Sequence, residues 1–319
     1  MIYYEIQAHG HVNSLISLVD TLSHPRNIVS ISIDNEMISI DDIRDRCSDI
    51  CLQGLYVSKS APLSWGGFSI TKRMYESLLQ ALGRDNWQWY VNLSGQCIPL
   101  KSQSFIHSFL ERERHRNSYL AYCYGFECKK DPVFYVSERA DNMREYRYGR
   151  VRFLADPELG TWIESGLFDP ARRVAQRQSV LFDELSKGLF RLQRHPSTKL
   201  RELEGEWKRQ PQIFGRQWVI LHRSVVERIA ASVFVEGVLE SLRYAFISDE
   251  SFFQKVLYSR KLGLVSNVSR DNRRYLLGQP SNLSTENIRE IVKSDALFGR
   301  KVNISESNEV YRLARELFP

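Results

Sequence analysis

Four short polar clusters lie where the hydrophobic pattern passes from strand to loop: Ala8-His9, Asp34, Asn92-Leu-Ser-Gly-Gln96 and Ser248-Asp-Glu250. If the strands before them run parallel, the clusters share one edge of a sheet. That edge is where open α/β sheets bind ligands. The spacings exclude several chemistries. No G-x-G-x-x-G and no GxxxxGK(S/T) occurs, which disfavours a nicotinamide enzyme and a P-loop nucleotide hydrolase. No Asp-x-Asp occurs either. Asp34-Asn35-Glu36 is the nearest acidic pair; Asp34 and Glu36 could chelate a metal, but a single ribose- or base-binding Asp34 is the favoured use. Cys97 has no identifiable His beside it to make it a nucleophile, so it reads as a small buried residue.

The elements that must hold these clusters follow from periodicity. Ile2–Gln7 reads as a strand, and Val12, Leu15, Ile16, Val19 and Leu22 recur at helical spacing. Ser23-His-Pro25 ends that helix, because proline cannot continue it. Ile28–Ile33 and Leu55–Val57 read as strands, with Cys47 and Cys51 on a helix between them. Ser69 reads as the N-cap of a helix with the stripe Ile70, Met74, Leu78 and Leu82, stopped by Gly83. Trp89–Leu93 is a further strand. Residues 130–212 lose the rhythm and read as a helical insertion. Gln217–Leu221 resumes as strand, followed by helices at Ser224–Ala231 and Val235–Ala245. Asp249, as N-cap, opens a helix over Ser251–Tyr258. A strand near Tyr275–Leu277, a helix from about Ser284 and a terminal helix complete the chain. Strands alternating with helices predict an α/β fold built on a mostly parallel, doubly wound sheet. We expect a single domain over residues 1–319.

Composition narrows the partners. The net charge of +6 favours phosphate-bearing ligands or an anionic surface. The charge is not a tail: residues 138–216 hold 16 Lys and Arg against 12 Asp and Glu, interspersed. This reads as a solvated helical surface. No zinc-finger spacing or RNA-binding aromatic motif points to nucleic acid. There is no apolar run long enough to span a membrane. Five cysteines without a second Cys/His pair at zinc spacing suit a reducing compartment.

Several segments resemble one family in the order in which the family carries them. Ala8-His9 and Leu22-Ser-His-Pro-Arg-Asn27 leading to Ile31-Ser-Ile-Asp34 are similar to the opening of the Core-2/I-branching enzymes, glycosyltransferase family 14. Ser64-Trp-Gly-Gly-Phe-Ser69 resembles its Trp-Gly-Gly turn, with Trp65 and Gly66. Trp87-Gln-Trp-Tyr-Val-Asn-Leu-Ser-Gly-Gln96, ending Pro99-Leu-Lys-Ser102, resembles its most recognisable strand and loop. Gly215-Arg-Gln-Trp218 and Ser248-Asp-Glu-Ser-Phe-Phe-Gln254 resemble a later strand and helix start. Asn272-Arg-Arg-Tyr275 and Leu297-Phe-Gly-Arg-Lys301 resemble two basic segments. The family includes β-1,6-N-acetylglucosaminyltransferases and peptide O-xylosyltransferases.

The resemblance implies a GT-A fold and inverting transfer of a sugar from a UDP-sugar to an acceptor hydroxyl, which several members perform without a metal. It divides the chain into a nucleotide-binding half (1–125), the helical insertion (126–212), an acceptor and base region (213–265) and a diphosphate-binding subregion (266–319). It places the base on Glu250, beside Asp249. It places the diphosphate cations on Arg274 and Lys301, with Arg273 and Arg300 one register away. His9, Asp34, Trp65 and Gly66 fall on the nucleotide. Ser94, Gly95, Gln96, Arg216, Gln217, Trp218 and Asp249 fall on the acceptor and the donor sugar. No metal cofactor is expected.

Departures from the family refine this. Cys97 stands where many members have Asp. Arg216 replaces a Ser, putting a cation where acceptors sit and implying an anionic acceptor. Glu138, Arg144 and Arg147 could reach the acceptor, although surface salt bridging is their favoured role. Eukaryotic relatives are Golgi proteins with an anchor and stem, and this chain opens directly on its first strand. The expectation is therefore a cytoplasmic bacterial enzyme of surface-polysaccharide synthesis. It would act on a glycan or lipid-linked acceptor, docked by a basic face at the inner side of the membrane.

Overall fold

A computed structural model describes residues 1–63, 68–113, 118–124, 213–242, 248–258, 262–264, 268–269, 271, 273–276, 283–291, 293–302 and 307–317. The helical insertion of 126–212 and the Trp65-Gly66 turn lie outside these residues, as do Glu138, Arg144 and Arg147.

The first strand, β1 (Ile2–Ala8), sets the architecture because it is buried on both faces. Ile2, Tyr4, Ile6 and Ala8 join one core, while Tyr3 joins a second. Alternation along a strand sends successive side chains to opposite faces. A strand buried on both sides therefore requires covering layers on both. β1 lies between β2 (His24–Ile33) and β4 (Trp89–Ser94), parallel to each. β3 (Leu52–Lys59) continues the parallel ladder outside β2. On the other flank β7 (Ile213–His222) runs antiparallel to β4 and to β6 (Ser118–Tyr124), and β8 (Val268–Ser269) pairs parallel with β6. The order β3-β2-β1-β4-β7-β6-β8 makes a seven-stranded, mostly parallel sheet. This is the sheet expected of a GT-A fold.

Helices cover both faces. One layer includes α1 (Val12–Thr21), α4 (Gln103–Arg112), α8 (Thr285–Ile291) and α9 (Ser307–Leu317), whose apolar stripes share the first core. The other includes α3 (Phe68–Leu82), α5 (Arg223–Ala230), α6 (Val233–Leu242) and α7 (Asp249–Leu257). A short α2 (Ile40–Arg46), capped by the Ser39 hydroxyl, links β2 to β3. The second face holds a buried ion pair. Arg73 on α3 donates to Glu5 Oε1 at 3.1 Å and also reaches Ser32. Burial raises the Glu5 carboxyl, and the Arg73 charge works against that shift.

Several expectations are corrected. Cys47 only caps α2, and Cys51 precedes β3, so the two do not share a helix. Ser69 is not an N-cap, because the helical turn already includes Phe68. Asp249 is the first helical residue of α7, and the N-cap position belongs to Ser248. Strand β2 begins at His24, not Ile28, and its register with β3 breaks between them. Pro25 lies in that interval, where its missing N–H leaves no donor for a ladder.

A feature invisible to local periodicity is a second, three-stranded sheet. β5 (Cys97–Pro99) pairs antiparallel with β10 (Phe298–Arg300), which pairs parallel with β9 (Arg274–Leu276). It brings both basic segments of the C-terminal region to the loop that follows β4.

Candidate active site

The carboxyl ends of β1, β2 and β4 hold the first group of side chains. His9 Nδ1 lies 2.5 Å from Asp34 Oδ2, so the imidazole and the carboxylate close the ends of β1 and β2 against each other. Asp34 Oδ1 has no hydrogen-bond partner among the described residues, and the side chain is only 10% exposed. Gly95 donates its N–H to Gln7 O at 2.9 Å, tying the loop after β4 to the end of β1. Val302 N donates to Gln96 O at 2.9 Å, which docks the residue after Lys301 on the same loop.

The second group gathers around Arg300. Its guanidinium lies 4.4 Å from the centre of the Trp218 ring, a favourable cation–π placement. Burial chiefly lowers the Arg300 pKa. Cys97, Asp249 and Glu250 act against that shift, and Arg216 acts with it. Those influences put Arg216, Asp249 and Glu250 within electrostatic reach of one half-buried cation. The elements explain why. Gln254 of α7 donates to Arg216 O at 2.7 Å and to Ala121 O at 3.3 Å, fixing the helix on β7 and β6. Thr71 and Ser248 share a hydrogen bond of 2.6 Å, which fixes the start of α7 on α3. Glu250 is half-buried in the first turn of this braced helix, and Asp249 is buried.

The basic pairs separate at the strand ends: Arg274 opens β9 just after Arg273, and Arg300 closes β10 just before Lys301. Arg274 is buried, donates to Asn92 O at 3.1 Å and lies 4.4 Å from the Phe298 ring. Burial pushes its pKa down to about 10, so it stays a cation at neutral pH. Its neighbour Arg273 faces elsewhere, over Phe109 at 5.0 Å and paired with Asp271. Lys301 is exposed; partial desolvation and then the Arg300 charge lower its pKa. The structure thus brings together Arg216, Trp218, Asp249, Glu250 and Arg300, with Arg274 and Cys97 in the adjoining sheet. His9 and Asp34 form a separate pair nearer β2. Ser94, the last residue of β4, and Gln96 in the turn after it are half-buried, with Gln217 half-buried on β7.

Two roles escape reading from motifs. Asn92, read only as a member of the polar cluster after β4, accepts from Val219 N at 2.7 Å and donates to Gln217 O at 2.9 Å, stitching β4 to β7 where their regular ladder stops at Val91. Lys59, at the end of β3, spans the loop after Asp34 with its ammonium. An Asn near a strand end is a weak signal for the first, and nothing local marks the second. Cys97 is buried, with Sγ 3.3 Å from Ser94 N and its carbonyl accepting from Tyr311 at 2.8 Å. This agrees with the reading of a small buried residue. Among the described residues, no three His, Cys, Asp or Glu side chains gather as a metal-binding group, and no helix is long and apolar enough to cross a membrane.

Residues 2–146 match the model of the Core-2/I-branching enzymes. Comparison with curated proteins finds no match. Among solved structures, mouse xyloside xylosyltransferase 1 in its apo form is 6% identical, covering 96% of this chain and 99% of its own, with a TM-score of 0.42. An active-site mutant of LgtC is 8% identical over 99% and 96% of the two chains, with a TM-score of 0.43. Core-mannan synthase A from Aspergillus fumigatus, in an Mn/GDP form, is 9% identical over 79% and 69%, with a TM-score of 0.34. Residues 2–146 thus match the model of the family that the motifs resemble, the Core-2/I-branching enzymes.

Proposed function

We propose that the chain transfers a sugar, GlcNAc or xylose, from a UDP-sugar to a glycan hydroxyl with inversion and without a metal. The observation that carries this reading is the half-buried Arg300, placed over Trp218 within electrostatic reach of Glu250. Inversion needs a carboxylate that takes the acceptor proton as the hydroxyl attacks the anomeric carbon. Glu250, half-buried on a braced helix, suits that role. The bond to the departing UDP breaks with charge growing on the β-phosphate, and preorganised cations there favour the transition state over the ground state. Arg274 and Arg300 supply fixed guanidinium groups for this, and Lys301 an ammonium at the rim. His9 and Asp34 take the uridine side. Ser94, Gly95, Gln96 and Gln217 shape the space between nucleotide and acceptor, and Arg216 favours an anionic acceptor.

The competing metal site at Asp34 and Glu36 has less support. Asp34 is turned onto His9, and the carbonyls of the following loop already bond Lys59. The setting, a bacterial surface polysaccharide built on a lipid-linked or other glycan acceptor at the inner membrane face, is proposed from the sequence alone.

A screen of UDP-sugars that follows UDP release, with and without EDTA, tests the reading. The expected result is donor-dependent release that survives the chelator. Loss of activity with EDTA and recovery with Mn²⁺ would transfer the mechanism to a metal site.

A further inference from the structure

Lys59 stands at the carboxyl end of β3, and its ammonium meets three backbone carbonyls of one loop. Nζ donates to Asn35 O at 2.7 Å, to Glu36 O at 3.1 Å and to Ile38 O. An ammonium has three N–H donors and no acceptor, so each donor is matched to one carbonyl. The same loop is held from the inside by Asn35. Its amide donates to His9 O at 3.2 Å, and its Oδ1 accepts from Met37 N at 2.9 Å. The loop begins at Asp34, whose Oδ1 has no partner among the described residues although the side chain is nine-tenths buried. A buried acceptor without a donor costs free energy unless a ligand supplies one. The carbonyls on Lys59 and the carboxylate of Asp34 thus belong to one short turn. Lys59 occupies the place in it that a bound cation would take.

We propose that Lys59 is a tethered cation that sets the Asp34–Ile38 turn, and so positions Asp34 for the nucleoside of the donor. Lys59 itself does not touch the ligand. The proposal rests on the nucleotide-binding reading given above. A positioning residue that acts through Asp34 should affect uridine and UDP alike, because both carry the nucleoside. It should lose its effect once Asp34 is disabled. Binding of uridine and UDP is measured by calorimetric titration to wild type, Lys59→Met, Asp34→Asn and the double variant. Lys59→Met keeps the stem and removes the charge, and its unfolding midpoint confirms that it folds. We expect it to weaken both ligands by a similar factor, about 10- to 100-fold, the range for charge-assisted hydrogen bonds. The double variant should bind no worse than Asp34→Asn alone, the signature of two residues acting as a unit. In Lys59→Ala, added n-propylammonium should restore uridine binding saturably, since the lysine is exposed and open to the amine.

Wild-type affinity in folded Lys59→Met overturns the proposal and leaves the nucleotide reading standing. So does an additive loss in the double variant, or an absence of rescue by the amine. Failure of the wild type to bind either ligand overturns both.

Discussion

Glu250 and the basic residues make different demands on experiment. Glu250→Gln keeps the shape of the α7 turn and removes the proton acceptor. Transfer should fall about 100- to 10,000-fold, as for loss of a positioned base, with UDP affinity nearly unchanged by calorimetry. Near-normal turnover would remove Glu250 from the reaction. Arg274→Ala, Arg300→Ala and Lys301→Ala should each weaken UDP more than uridine, by roughly 10- to 150-fold for a charge-assisted contact. Stability separates them. Arg274 is buried against Phe298 and bonded to Asn92, so its loss should also lower the unfolding midpoint. Exposed Lys301 should leave the midpoint unchanged. Equal losses for UDP and uridine would mean that these residues only support the fold.

The element that aims these cations is β10, and its middle residue is under a tight constraint. A Cβ at Gly299 would lie 2.9 Å from Leu283 Cδ1, 3.2 Å from Leu100 Cδ1 and 3.3 Å from Ile98 Cγ2. Gly299→Val should therefore cost about 1–3 kcal/mol in urea unfolding, the usual cost of overpacking, and weaken UDP as Arg300 shifts. A fully stable variant would mean that the small sheet is more pliable than its packing indicates. On α3, Arg73→Met should cost about 3–5 kcal/mol by leaving the buried Glu5 unpaired. The loss should shrink when Glu5→Gln is added. Legibility in the sequence divides along similar lines. The parallel strands and their helices were readable because β1, β2 and β4 carry apolar runs bounded by turns. The placement of Glu250 in the first turn of a helix was readable because Ser248-Asp-Glu250 stands at the head of a long motif. Choosing Arg300 over Lys301 as the less exposed cation required knowing that β10 ends at Arg300, and its three residues are too few to show a period. The Lys59 turn and the Asn92 stitch depend on contacts across the sheet, so no local pattern announces them. The start of β2 at His24 is hidden for another reason: Pro25 both follows the helix end and sits inside the strand, ahead of the apolar run that begins at Ile28.

Across the whole molecule, the amino end of the sheet carries its own polar network, away from the site. His107 bonds Asn27 Oδ1 at 2.8 Å and stacks on His24 with ring centres 4.3 Å apart. Gln103 accepts from both Tyr4 and Asn27 there, each at 2.9 Å. Burial, with His24, Arg26 and the N-terminal ammonium, pushes the His107 pKa down to about 3. The unfolded chain therefore binds this proton first. The stability that the neutral ring contributes is present above about pH 6.5 and is lost as pH falls toward 3. Between pH 7 and pH 5, wild type should lose about 2 kcal/mol more than His107→Gln in urea unfolding. Parallel pH profiles would show that this ring takes its proton in the folded state as readily as in the unfolded one. The three-stranded sheet carries a consequence for the order in which the protein is made. Gln96 and Val302, which meet beside it, are 206 residues apart in the chain. During synthesis from the amino end, β1 to β4 can assemble while β9 and β10 are still untranslated, and such distant pairings are slow to form. On the proposed assignment, a nascent chain acquires its grip on the nucleoside first and its grip on phosphate last. A product cut short before Phe298 would keep the floor of the pocket and fail to tell UDP from uridine.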